Sequence, residues 1–237
     1  MSKPFKFKQF TIHQDRTAMK VGTDGVLLGA WTSLESNPFS ILDIGTGTGL
    51  IALQLAQRSH AEIIDAIEID DDAYEQAVDN FENSPWSDRL FCYHASFDEF
   101  VHEIEDKYDL IVSNPPFYTE NYKTENTQRD TARFTDALPF DELLQGVAKL
   151  LEPKGTFHTI IPHKAHNQFV ALAKENHLFP YKTCHVKGNP ETDYKRSLLS
   201  FSFEERENQI TELIIETTRH QYTDDYIALT KDFYLKL

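Results

Sequence analysis

Cysteine is scarce in this chain, with two residues in 237, Cys92 and Cys184. Their spacing suits neither a metal-binding pair nor a disulfide framework, so a reduced, cytoplasmic setting with free thiols is expected. No run of about 18 apolar residues occurs, which excludes a membrane-spanning helix and any membrane partner of that kind. The N-terminus, MSKPFKFKQF, is basic and aromatic but lacks the apolar centre and cleavage site of a secretory signal. Metal-ligand patterns are missing too. There is no H-E-x-x-H and no cysteine pair, and no histidine cluster points to a metal, so none is expected. Ser113 lacks a G-x-S-x-G setting, which argues against a hydrolase nucleophile. Repeats and low-complexity linkers are absent.

Basic residues are the last shortage. Lys and Arg number 23 against 38 Asp and Glu, for a formal net charge of -15. That balance counts against a nucleic-acid enzyme with a broadly basic surface. Locally it reverses. The first 20 residues carry Lys3, Lys6, Lys8, Arg16 and Lys20 against Asp15 alone, and Lys182, Lys187, Lys195 and Arg196 form a second basic group. An acidic body with a basic rim remains able to grip RNA.

The chain is long enough for one substantial core and too short for two full enzymatic domains. Hydrophobic residues make up 40% and charged residues 26%, an ordinary globular composition. A single domain over 1–237 is expected, with an extension at 1–39, a core at 40–204 and a tail at 205–237. Residues 40–45, 62–69, 89–94, 108–112 and 156–161 read as strands, and 50–58, 71–82, 140–151 and 163–175 as helices, the third stopped by Pro153 and Gly155. This alternation predicts parallel strands with helices on both faces. Residues 179–187 and 197–203 then follow as two strands in succession, which fits an antiparallel pair at the sheet edge. Residues 210–216 read as a further short strand or an ordered tail, and 223–235 as a helix capped by Thr223. The polar stretch 119–137 is long for a connector and reads as a functional loop.

Two segments carry the chemistry. Asp43-Ile44-Gly45-Thr46-Gly47-Thr48-Gly49 joins a strand to a helix. Its glycines permit a tight turn beneath a ligand, and the helix start offers unpaired N–H groups. The G-x-G-x-G spacing differs from the dinucleotide fingerprint. Asp43 would repel a pyrophosphate and attract a sulfonium or an ammonium. Alone, the loop also admits a plain strand–helix turn. Glu68 ends the second strand, where a carboxylate can accept both hydroxyls of a ribose. Ser96 and Phe97 follow the third strand, where they can line an adenine ring.

The second segment is Asn114-Pro115-Pro116-Phe117, directly after the fourth strand. Consecutive prolines stiffen the backbone and fix the directions of the Asn114 amide and the Pro115 carbonyl. Those two oxygens can accept both hydrogens of a planar NH2 group and free its lone pair to attack a methyl group. Phe117 offers a flat face for a flipped base. Catalysis of this kind is positional and electrostatic.

Together these segments resemble the class I, Rossmann-like amino-methyltransferases. The resemblance implies a seven-stranded, mostly parallel sheet whose last strand is antiparallel, with S-adenosyl-L-methionine as cofactor. It assigns 43–49, including Thr46, to the methionine end of that cofactor, Glu68 to the ribose, and 114–117 to the target amine. A closer likeness runs through DRTAMKVGTDGVLLGAW at 15–31, Ser84-Pro85-Trp86, Gln128-Arg129-Asp130 to Arg133, and the tail from Tyr226. These resemble the bacterial tRNA1(Val) adenine-N6 methyltransferases, which methylate the adenine 3′ to the anticodon of a valine tRNA. On this reading Lys20, Gly22 and Thr23 fold over the cofactor, although Thr23 or Asp24 also suits a helix cap. Lys6, Lys8, Arg16, Arg129, Arg133, Lys195 and Arg196 are the expected RNA contacts, and no obligate protein partner is implied. One departure is Ser96, which stands where many methyltransferases place an acid; Asp98 could serve only if the loop were offset. The N-P-P-F chemistry equally suits a ribosomal RNA guanine, a DNA adenine or a protein glutamine amide. A non-catalytic binding module that kept the fold is the remaining alternative.

Overall fold

The computed structural model describes residues 3–116 and 138–236. The chain opens with a small hairpin, β1 (Phe5–Lys6) and β2 (Thr11–Ile12), followed by α1 (Thr23–Trp31). Strands and helices then alternate: β3 (Ser40–Ile44), α2 (Leu50–Arg58), β4 (Ile63–Glu68), α3 (Asp71–Glu82), β5 (Leu90–His94), α4 (Phe97–Glu103) and β6 (Tyr108–Ser113). Beyond the undescribed stretch come α5 (Phe140–Leu150), β7 (Leu151–Pro162), a 3-10 turn (His163–Ala165), α6 (His166–Glu175), β8 (Phe179–Lys187) and β9 (Arg196–Ser202). The tail adds β10 (Gln209–Ile214), the short pair β11 (Glu216–Thr218) and β12 (Gln221–Tyr222), and α7 (Asp224–Thr230).

The central sheet has the order β10-β8-β9-β7-β6-β3-β4-β5. The run from β5 to β7 is parallel throughout, and β9 is antiparallel to both β7 and β8. The first seven strands of this sheet in chain order therefore end on the antiparallel one, as the resemblance implies. The eighth, β10, pairs parallel with β8 and takes the edge position. The β8–β9 pair thus lies inside the sheet rather than at its border.

Alternation along the central strands builds a three-layer core. Ile41, Leu110, Val112 and Ile160 face the side covered by α1, α2 and α7. Leu42, Ile44, Ile111, Phe157 and Ile161 face the side covered by α4, α5 and α6. Helix α1 is apolar almost all round, with every residue from Gly25 to Ala30 buried. It lies so close to α2 that a Cβ at Gly29 would fall 2.3 Å from Gln54 Oε1.

Three boundaries differ from expectation. Pro153 and Gly155 do not stop a helix; α5 ends at Leu150 and β7 runs through both. A register irregularity between Tyr108 and Leu110 absorbs the extra residues. Helix α1 is capped by Gly22 with no side-chain hydrogen bond, so neither Thr23 nor Asp24 caps it. Helix α7 keeps its Thr223 cap, which accepts from the Tyr226 N–H, but it stops at Thr230. The chain turns there to bury Phe233 and to bridge Tyr234 to Phe7.

Ahead of α1, residues 13–21 form a strap across α3 held by three neutral side chains. The Asn80 amide accepts from the His13 N–H at 2.9 Å and donates to the carbonyls of His13 and Thr48 at 2.9 and 2.8 Å. Gln76 accepts from the N–H groups of Asp15 and Arg16, and Gln14 from that of Val21. Asn80→Ala leaves buried backbone groups without partners and should lower unfolding stability by roughly 2–3 kcal/mol. Urea melts measure it; a change within about 0.5 kcal/mol, the scatter of a bland surface substitution, would mean the strap holds without this anchor.

Candidate active site

The C-terminal ends of β3, β4, β5 and β6 open onto one cavity of about 340 Å³. Volume and position are those of a small-molecule site in an open α/β sheet. Its wall combines the strap (Thr17, Ala18, Met19), the glycine loop, the β4 tip, residues 95–98 and the Ser113-to-Pro116 segment.

Gly45, Gly47 and Gly49 all have positive φ, at 70°, 58° and 79°. Two line the cavity and the third does not. A Cβ at Gly45 or Gly47 would meet nothing within 4 Å, whereas one at Gly49 would lie 2.5 Å from the Phe81 ring. Gly47 therefore leaves open space for a ligand, and Gly49 lets the loop sit on α3. Gly47→Ala should cost about 1–2 kcal/mol in stability through backbone strain, but cofactor affinity should fall at least about tenfold. Gly49→Ala should destabilise more, because the ring has to move. Thermal melts with calorimetric titration separate the two; equal effects on both readouts would contradict this division.

Glu68 fastens the loop. Its Oε2 accepts from the Gly47 N–H at 2.8 Å, and its Oε1 from the N–H groups of Ile69 and Asp70 at 2.9 and 3.0 Å. A carboxylate has about four acceptor positions, and with three taken one remains for a ribose hydroxyl, not the pair expected from the sequence. Asp43 is placed differently from expectation. It is fully buried, and strand alternation turns it under the loop, away from the cavity wall. Its Oδ2 accepts from the Thr46 hydroxyl at 2.6 Å and from the Ala52 N–H at 3.2 Å. Thr46 likewise serves the loop from below and is not part of the cavity wall. Burial pushes the Asp43 carboxyl up to about 7, the two hydrogen bonds opposing and the Glu68 charge reinforcing it. The folded protein thus holds a proton at Asp43 that the unfolded chain releases above about pH 4. Stability from this group falls as pH rises through that window, and is fully present below it. Relative to Asp43→Asn, the native protein should gain Tm as pH drops from 8 to 5; parallel curves for the two proteins would contradict the burial argument.

At the far wall, Ser113 donates its hydroxyl to the Ile44 carbonyl at 3.0 Å, locking β6 to β3. Asn114 follows in the cavity wall with Pro115 and Pro116. Its Oδ1 is buried with no hydrogen-bond partner among the described residues. So is Thr17 Oγ1, on a residue 7% exposed that the strap contributes to the wall. Orphaned buried oxygens are costly unless a ligand satisfies them.

The remaining expected contacts are redistributed. Lys20, Gly22 and Thr23 lie outside the cavity wall, because the pinned strap brings Thr17, Ala18 and Met19 there instead. Ser96 is in the wall, but its side chain is spent on a capping box with Glu99, donating to Oε2 at 2.7 Å and accepting from the Glu99 N–H. Asp98 lines the cavity beside it, and Phe97 belongs both to the wall and to the core against Gly146. The Ser96-x-x-Glu99 spacing is the capping-box signal in the sequence that marks α4, a helix not anticipated above. Nothing local marks Thr17. Phe117, Arg129, Arg133 and the 119–137 stretch lie outside the described residues.

A family model for the methyltransferase small domain matches residues 26–175. A tRNA1(Val) (adenine(37)-N6)-methyltransferase of Flavobacterium psychrophilum is 64% identical over 98% of this chain and all of its own length. A protein of the same name from Bacteroides fragilis is 48% identical over the full length of both. The chain belongs to this methyltransferase family. A predicted O-methyltransferase from Agrobacterium tumefaciens shares its fold at a TM-score of 0.70, with 17% identity over 89% of this chain and 96% of that one.

Membership makes S-adenosylmethionine the methyl donor, and the residues fit it: open space over two glycines, a carboxylate at the β4 tip and two unsatisfied buried oxygens. The expected RNA contacts fare unevenly. Arg16 is ion-paired with Glu75 and Asp79 at 3.3 and 2.8 Å, Lys8 Nζ donates to the Lys231 carbonyl, and Arg196 pairs with Asp24 at 2.7 Å. Lys6 and Lys195 are exposed. Among the described residues no helix is long and apolar enough to cross a membrane.

Proposed function

We infer that the protein transfers the methyl group of S-adenosylmethionine to the exocyclic N6 amine of an adenine in tRNA. The proposed acceptor is the adenine 3′ to the anticodon of a valine tRNA, and the full-length likeness to relatives of that name supports it. The orphaned Asn114 Oδ1 in the cavity wall, beside a rigid Pro115-Pro116 pair, is the observation that carries the chemistry.

The cofactor supplies a methyl group activated on a positively charged sulfur. The protein orients the partner that attacks it. Asn114 Oδ1 and the Pro115 carbonyl each accept one N–H of the adenine amine. This turns the nitrogen lone pair out of the ring plane and toward the cavity. With the donor bound, the amine nitrogen would take the methyl group as the sulfur leaves as a neutral thioether, and the methylated nitrogen would release one proton to water. No strong base is required, because the proton leaves only once the nitrogen carries positive charge. Glu68 and the loop at Gly45 and Gly47 hold the donor, and the strap residues Thr17, Ala18 and Met19 keep water from one side.

Asn114→Ala should lose at least about a hundredfold in kcat while keeping cofactor affinity within about twofold, the signature of an interaction made in the transition state. Labelled methyl transfer to tRNA lacking the modification, followed by nucleoside analysis, measures the first, and calorimetry the second. Collapse of cofactor binding in this variant would make Asn114 structural. Label appearing in protein rather than in tRNA would move the acceptor to a glutamine amide.

A further inference from the structure

The end of the sheet that carries Asn114 also carries a group of rings the chemistry above does not use. His163 follows β7, His166 opens α6, His185 lies near the end of β8, and Tyr194 sits in the turn into β9. Their rings form one assembly. His163 lies 4.7 Å from His185 and 5.0 Å from Tyr194, and His185 lies 5.1 Å from both His166 and Tyr194. The imidazoles of His163 and His185 share the Ser197 hydroxyl, at 3.0 and 3.1 Å, which fixes their orientation. All four side chains are half-exposed, and none belongs to either hydrophobic core. His166 Nδ1 is buried without a partner among the described residues.

The surroundings favour a nucleic-acid strand. Lys187 Nζ stands 4.7 Å over the Tyr194 ring, Lys164 and Lys195 are exposed beside the cluster, and Arg196 lies at its base, paired with Asp24. Glu212 is the facing acid; it is engaged by Lys187 at 3.1 Å and by the Tyr194 hydroxyl at 2.7 Å. No trio of His, Cys, Asp or Glu among the described residues is arranged to hold a metal ion. Position supplies the last element. Thr159 of β7 is level with Ser113 of β6. His163 comes four residues later, just past the end of β7 and so at the same end of the sheet as Asn114. A base held at Asn114 leaves its neighbouring nucleotides at this end of the sheet. Half-exposed flat rings with adjacent cations are what unpaired nucleotides stack on.

We propose that His163, His166, His185 and Tyr194 form a stacking site for a nucleotide flanking the methylated adenine, with the exposed Lys164 and Lys195 meeting its phosphates. The proposal rests on tRNA being the substrate. The test measures binding of a synthetic anticodon stem-loop carrying the unmodified adenine, together with cofactor affinity and the melting temperature. The double variant His163→Ala with Tyr194→Ala should weaken RNA binding by about tenfold or more, with cofactor affinity unchanged. His163→Phe with Tyr194→Phe keeps the flat faces and should bind RNA close to the native level. Tyr194→Ala alone, in an exposed turn, stands in should the double variant not fold. Native RNA affinity in a folded alanine variant overturns the proposal, as does equal weakening by alanine and phenylalanine. A native protein that methylates the stem-loop while the alanine variant binds it equally well overturns the stacking site alone. A native protein that methylates no tRNA overturns the substrate reading as well.

Discussion

One carboxylate joins the two sides of the cavity at the glycine loop. Glu68 sits at the tip of β4, and one of its oxygens holds the Gly47 N–H while the other holds the turn into α3. A loop with three glycines at positive φ has little stiffness of its own. It keeps its shape because it is clasped from above by Glu68 and from below by Asp43 through Thr46 and Ala52. The two acids divide the work by burial. The one below is enclosed and pushed toward its neutral form, and the one above stays at the cavity where a hydroxyl can reach it. The open space over Gly47 and the seating of α2 both depend on this clasp.

The acidic composition becomes intelligible in the same terms. Several basic residues that sequence alone offers to RNA also have structural partners. Arg16 ties the strap to α3, Arg196 ties β9 to α1, and Lys8 ties the N-terminal hairpin to the end of α7. What remains on the substrate edge is a modest number of cations beside half-exposed rings. On the stacking proposal, such a surface draws less on phosphate neutralisation and more on the faces of unpaired bases.

Much of the fold is legible because its signals are local. Helix α3 starts at Asp71 under the cap that the Asp70 side chain makes to Ala73, and its buried residues recur at helical spacing. The glycine loop and the Asn114 segment are legible for the same reason, since each is a contiguous string at a strand end. Helix α1 is harder, because its residues are buried nearly all round and show no periodic face. The start of β7 was obscured by Pro153 and Gly155, which read as breakers, whereas the register irregularity against β6 lets the strand carry them. Thr17 and the histidine assembly are illegible for a different reason. The first reaches the cavity only through contacts with Gln76 and Gln14, and the second is gathered from segments that meet only once β7, β8 and β9 pair.

The strap across α3 has a consequence for how the protein meets changing solution conditions. Its fastenings are the uncharged amides of Gln14, Gln76 and Asn80. Neutral amides have nothing for salt to screen and no proton to gain or lose across the physiological range. Ions that screen the exposed Arg16 pairs therefore leave the amide fastenings of the strap in place. A rise in ionic strength can in this way loosen the charged rim of the strap while its backbone stays fastened to α3.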